Sequence, residues 1–193
     1  MMKSPNRLRI LAVLAGLAAT TLAVSCAFWP RTIGGGNAGT EAAAIAGLRA
    51  YLGAQGVFQS LDRYGKGKLV YANRIDGTGF PDLFRVGGPL PGYTPSDGTE
   101  IKLIDLALAR ASSPQTAKAG YWFVDIVGDA LTGKHYDYTK ECGLCAVPAE
   151  YGETGFHTFV INTEGTVYKK DNGGKPVTVF PDVDMDGWVD ISM

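Results

Sequence analysis

The stretch TEAAAIAGLRAYLGAQGVFQSLDRYG, residues 40–65, decides the fold. Ile45, Leu48, Leu52 and Phe58 fall on one helical stripe, with Tyr51 and Leu61 at its margins. Thr40 is placed as an N-cap, and Glu41 lies in the first turn, where a carboxylate meets the positive end of a helix. These features predict a helix over about 41–62 with one face on a core. Gly47, Gly53 and Gly56 each cost such a helix roughly 1 kcal/mol relative to alanine. Close packing against a neighbour is the expected compensation.

Downstream, the pattern changes to strands and turns. GYWFVDIV (120–127) puts Tyr121, Phe123 and Val127 on one face and Trp122, Val124 and Ile126 on the other. Apolar residues on both faces predict a central strand in a sheet covered on both sides. KLVYAN (68–73) and KHYDYT (134–139) read as short strands, the latter after a turn at Leu131-Thr132-Gly133. FHTFVIN (156–162) and TVYKK (166–170) flank Thr163-Glu164-Gly165, a hairpin connection, and VTVF (177–180) is expected at a sheet edge. Residues 74–98 are rich in Gly, Pro and Asp and read as a loop. Thr99 then caps an expected second helix with Ile101, Ile104 and Leu108 on one face. A helix followed by an antiparallel meander is an α+β plan.

The N-terminus reads as an export segment outside this domain. Lys3, Arg7 and Arg9 precede ILAVLAGLAATTLAV (10–24), an uncharged and mostly apolar run, and Ser25 and Cys26 follow it. Ala23-Val24-Ser25-Cys26 resembles a bacterial lipobox, in which Cys26 becomes the lipidated mature N-terminus. Ordinary cleavage and retention as an anchor are the alternatives, because residues 10–29 are just long enough to span a bilayer. The expected organisation is therefore a signal or anchor (1–25), a glycine-containing tether (26–39) and a folded domain (40–193) on the outer side of a membrane. The chain is 46% hydrophobic and 19% charged, so a packed core is within reach. Beyond residue 25 it carries 15 basic against 19 acidic residues, a balance of −4 with no basic stripe, which gives nucleic-acid binding no electrostatic support.

Three phrases carry a family likeness. EAAAIAGLRAYLGAQGVF, then LIDLALA followed by GYWF, resemble the soluble part of bacterial type IV pilin-like and pseudopilin-like proteins. PAEYGETGFHTFVINTEGTVYKKD is similar to the ending of a group of uncharacterised exported bacterial proteins. The likeness covers roughly residues 41–64 and 101–190, in patches. It implies a long N-terminal helix packed on an antiparallel sheet, and it implies no enzymatic activity. One departure matters. Pilins carry a glutamate within their apolar segment, whereas residues 8–30 contain no acid. An intramembrane carboxylate is functional where it occurs, so its absence argues against filament assembly by that route.

Cys142-Gly-Leu-Cys145 is the one chemically suggestive motif in mid-chain. In an oxidising compartment the pair invites a disulfide. In an extended strand, residues three apart are separated by about 10 Å, whereas a disulfide needs Cα atoms within about 7 Å. The bridge therefore requires a turn at Gly143-Leu144. A redox pair would call for a helix N-terminus at the first cysteine, and no helical stripe follows. Zinc held by Cys142, Cys145, His135 and His157 has the right ligand types without the usual paired-histidine spacing. Two unreactive thiols or a small staple are preferred.

Near the C-terminus, DVDMDGWVD (182–190) places Asp182, Asp184, Asp186 and Asp190 around Gly187, as in the first nine positions of a calcium loop. The twelfth position falls on Met193 instead of a glutamate, and no helical stripe flanks the loop. The preferred reading is a terminal turn that folds Trp188 back on the core, with calcium as the only cofactor kept in view. Asp137 and Glu141, beside Tyr136 and Tyr138, read as a solvated strand face. Glu150, Tyr151, Glu153 and His157 form the first place to look for a site outside these motifs. No hydrolase elbow, Walker motif or dinucleotide glycine pattern is present. The expectation is a non-enzymatic, membrane-tethered envelope protein with a pilin-like interaction domain. Its partners would be the membrane through the N-terminus, envelope proteins, or copies of itself. The alternatives are a pseudopilin-type subunit and a thiol or metal protein built on the two cysteines.

Overall fold

The computed structural model describes residues 36–61, 69–75 and 102–192. The export segment, Cys26, residues 76–98 of the expected loop, Thr99 and Ile101 lie outside the described residues. Helix α1 spans Gly36–Ser60. It is followed by a short helix α2 (Leu106–Arg110), a 3-10 turn (Pro114–Thr116) and seven strands. These are β1 (Tyr121–Asp125), β2 (Gly128–Asp129), β3 (Lys134–His135), β4 (Leu144–Pro148), β5 (Thr158–Ile161), β6 (Val167–Lys170) and β7 (Val189–Asp190).

Five strands form one antiparallel sheet in the order β1-β4-β5-β6-β7, and β2 and β3 form a separate hairpin. The fold is α+β, with the first helix laid on the sheet. β4 and β5 are buried along their whole length. Alternate residues serve two cores: Leu144, Ala146, Phe159 and Ile161 face α1, while Cys145, Val147 and Val160 face the opposite side. That second side is covered by Tyr136 and Tyr138 near the hairpin and by Val177, Phe180, Val183 and Trp188 from the C-terminal segment.

Several expectations are corrected here. GYWFVDIV is covered on both faces but forms an edge strand. β5 occupies the middle with β4 between it and β1, and the outer side of β1 is partly occupied where the Phe123 amide donates to the Ala111 carbonyl at 2.6 Å. Helix α1 begins four residues before Thr40, so the last part of the expected tether is helical and Thr40 is no cap. Its buried face runs through Ala44, Leu48, Tyr51, Gln55 and Phe58, at spacings of four and three. Ile45 and Leu52 flank that face as partly buried neighbours, which places Tyr51 at its centre. The second helix is shorter than expected and is capped by Asp105, whose Oδ1 accepts the Leu108 amide at 2.8 Å. Neither 69–73 nor 177–180 forms a strand of its own.

A polar clamp explains the first of these segments. Gln55 is fully buried. Its Oε1 accepts the Ala72 amide at 2.8 Å and its Nε2 donates to the Ala72 carbonyl at 2.7 Å. The side chain thus meets the backbone of residue 72 as a neighbouring strand would. Gln55 Nε2 also donates to the Tyr51 hydroxyl at 2.9 Å, and that hydroxyl donates to the Gly143 carbonyl at 3.1 Å. Helix, segment 69–75 and the approach to β4 are therefore joined through one buried network whose members satisfy each other.

The three helix glycines separate by environment. A Cβ on Gly47 would meet Phe123 at 2.8 Å, whereas Gly53 and Gly56 face open space. Close packing therefore accounts for Gly47 alone. We expect Gly53→Ala to stabilise the fold by about 1 kcal/mol through helix propensity. Gly47→Ala should lose that gain to overpacking, with a net cost on the order of 1 kcal/mol. Urea denaturation of the two variants checks the opposite signs.

Candidate functional site

One end of the sheet gathers most of the polar chemistry. β1 starts there, β4 ends, β5 starts and β6 ends, as the register pairs Tyr121 with Pro148 and Thr158 with Lys170 show. The Glu150–His157 loop joins β4 to β5 at this end and reaches the first turns of α1. The Thr40 hydroxyl donates to the Thr154 carbonyl. Glu41 Oε1 accepts the amides of Phe156 (3.2 Å) and His157 (3.3 Å), and His157 Nδ1 donates to the same oxygen at 3.0 Å. Beneath the loop the Tyr121 hydroxyl donates to the His157 carbonyl at 3.0 Å. Gly155 is essential to this contact, because a Cβ there would overlap that hydroxyl. Burial holds the Tyr121 phenol well above its ordinary range.

The outer surface of this end is aromatic. Tyr151 and Phe156 are each nearly half exposed, at 47% and 45%. Their rings meet edge to face, 5.9 Å apart at 85°. The Tyr151 hydroxyl donates to the Asp171 carboxylate at 2.9 and 3.1 Å, which raises its own pKa. Gly174 lets the β6–C-terminal turn lie against Tyr151, since a Cβ there would approach Tyr151 Cβ to 2.9 Å. Beside it, the turn Lys118–Tyr121 is closed by paired backbone bonds and holds Ala119 at φ +51° and Gly120 at φ +83°. Alanine rarely takes that left-handed conformation.

The expected motif residues are placed differently. Cys142 and Cys145 are free, buried thiols. The disulfide is not formed because the chain between them is extended rather than turned, so Cys142 joins the core under α1 and Cys145 the opposite one. Burial pushes the Cys142 thiol up to about 11 and the Cys145 thiol up to about 12. Thiols held protonated are poor nucleophiles and poor metal ligands. The calcium arrangement is also not assembled. Asp182 Oδ1 accepts the Met185 amide (3.3 Å), its carbonyl accepts the Asp186 amide (2.8 Å), and Asp190 lies in β7. Among the described residues no three His, Cys, Asp or Glu side chains converge to hold a metal, which covers the zinc set as well. Trp188 folds back onto the second core as expected. Asp137 accepts the Thr139 amide and hydroxyl (3.1 and 2.7 Å) within an exposed turn, and His135 donates to the Val127 carbonyl at 3.2 Å. No helix of the described residues is long and apolar enough to cross a membrane.

The fold and this sheet end define an α+β domain built from a helix fastened across an antiparallel sheet. The chain belongs to the family described as "Protein of unknown function (DUF2950)", which matches residues 29–185. No curated protein and no solved structure matches it.

Two outcomes follow from these positions. Replacing Glu41 with alanine leaves two loop amides without their acceptor and should cost about 1–3 kcal/mol; Glu41→Gln, which keeps an oxygen there, should cost less. Thermal unfolding of the pair checks this. For the thiols, unfolding lowers each pKa towards about 8.5. Their contribution to stability is therefore complete below that pH and is lost as pH rises towards about 11. The Cys142→Ala, Cys145→Ala double variant should show a flatter fall in Tm between roughly pH 9 and 11 than the parent chain. A parallel fall in both would exclude the assignment.

Proposed function

We propose that the protein is a non-enzymatic cell-envelope protein, exported and held at a bacterial membrane through Cys26, whose α+β domain makes pilin-like interactions with envelope partners or with itself. The observation that carries this reading is the structural use of the polar groups that resembled chemistry. The two thiols are buried on opposite sides of β4, Asp182 ties a terminal turn, and Glu41 with His157 fastens the first helix to the sheet. The surface left at that end is the aromatic pair of Tyr151 and Phe156. A basic start, an apolar run and Ser25-Cys26 support export and lipidation. The 25-residue helix laid on an antiparallel sheet supports the pilin-like architecture, and with it the second reading of a pseudopilin-type subunit.

Mass determination of the mature chain separates the two. A diacylated Cys26 as first residue is the expected result, and Cys26→Ser should move the protein from the membrane to the soluble fraction. A methylated residue after a short leader would favour the pseudopilin reading. An unmodified chain cleaved elsewhere would overturn lipid anchoring.

A further inference from the structure

The geometry points to the aromatic corner of Tyr151 and Phe156 as a contact for the zwitterionic headgroup of phosphatidylethanolamine-type lipid in the membrane that carries the protein. This inference rests on the anchoring reading above and names the surface that the anchor presents.

Three observations converge. The first is the shape and charge of the corner. The two nearly half-exposed rings meet edge to face at 85°, and an organic cation is attracted to an aromatic face within about 6 Å of a ring centroid. Asp171 lies at the tip of Tyr151. An ammonium group is therefore favoured over an anion at this surface. The second is the nearby positive charge. Lys175 is exposed in the turn after Asp171, which is closed by Asn172 Nδ2 donating to the Lys175 carbonyl at 2.9 Å. A carboxylate and an ammonium four residues apart complement a headgroup that bears both an amine and a phosphate. The third is position. The loop is fastened to Thr40 and Glu41 in the first turns of α1, so it lies at the end of the helix that follows Cys26 in sequence. Gly36, the start of the helix, is ten positions on from Cys26. Ten residues reach at most about 35 Å. A short link raises the effective concentration of lipid headgroups at the corner to about millimolar or above, so a weak contact suffices.

The test uses the mature lipidated chain, beginning at Cys26, in vesicles. Hydrogen exchange of the peptide covering 150–157 is compared between vesicles containing phosphatidylethanolamine and vesicles of phosphatidylglycerol alone. Exchange slowed by about fivefold or more in the first is expected, which corresponds to a modest local affinity. Phe156→Leu keeps the apolar volume and removes the π-face; it should abolish the difference. Tyr151→Phe, which removes only the bond to Asp171, should retain it. Equal exchange in both vesicles, or protection by phosphatidylglycerol alone, overturns the proposal. A second arm separates its failure from failure of the anchor. The Cys26→Ser chain in solution is titrated with phosphoethanolamine, and the Phe156 and Tyr151 ring resonances are followed. Shifts that saturate, and that vanish in Phe156→Leu, support the headgroup site even if the chain does not sediment with vesicles. Flat resonances to tens of millimolar overturn it even if the chain is lipidated.

Discussion

The structure depends on one constraint: β4 and β5 are buried on both faces. A strand with apolar side chains in both directions needs a layer on each side. Helix α1 supplies one layer through Leu48, Tyr51 and Phe58. The other is assembled from pieces too irregular to be a helix or sheet, namely the tyrosines near the β2–β3 hairpin and the apolar residues of the C-terminal segment. The two layers are fixed by different means. On the helix side a buried amide and phenol hold backbone to backbone through Gln55 and Tyr51. Such a network positions the helix strongly, since leaving any member unpaired in a low-dielectric setting is costly. On the other side, apolar packing is accompanied by backbone bonds between 127–130 and 178–180.

The elements with a clear period were legible. A 3.6-residue repeat made α1 visible, and the Thr163-Glu164-Gly165 connection, with Gly165 at φ +86°, marked the β5–β6 hairpin. The helix face was displaced because small and polar residues carry it. Ala44 and Gln55 are buried, and neither stands out in a search for large apolar side chains. The buried strand between β1 and the central β5 was harder to see. Leu-Cys-Ala-Val-Pro has no alternation, because neither of its faces meets water, and its cysteines drew attention to redox chemistry. Conversely, GYWFVDIV looked central because it is covered on both faces; edge or centre is decided by hydrogen-bonding partners that a single strand does not encode.

For the candidate site, composition pointed to the 150–157 loop and missed its main partner. Glu150, Tyr151, Glu153 and His157 are close in sequence. Glu41, which holds that loop, comes from another part of the chain and read as a helix-terminal charge. Phe156 was counted among strand residues, although it is nearly half exposed. The cysteine and aspartate motifs show the limit of spacing as a guide. Their spacing resembled sites, but a disulfide depends on how the intervening chain turns, and a calcium loop depends on oxygens converging. Strand geometry at β4 and β7 settled both differently.

The fastening of α1 has a consequence for how the chain comes into being. Thr40 and Glu41 are bonded to residues 114 to 116 positions further along. Synthesis makes the helix first, yet its clamp and most of the surface it covers arrive only when β5 has been made. Until then an apolar helical face has no partner. Closing contacts of such wide separation is slow compared with helix formation. The protein therefore passes through an interval in which its earliest element is complete in itself and unprotected, a state open to chaperones or to premature association. The order of the sequence, helix before sheet, thus sets a schedule in which the last-made half of the domain completes the first.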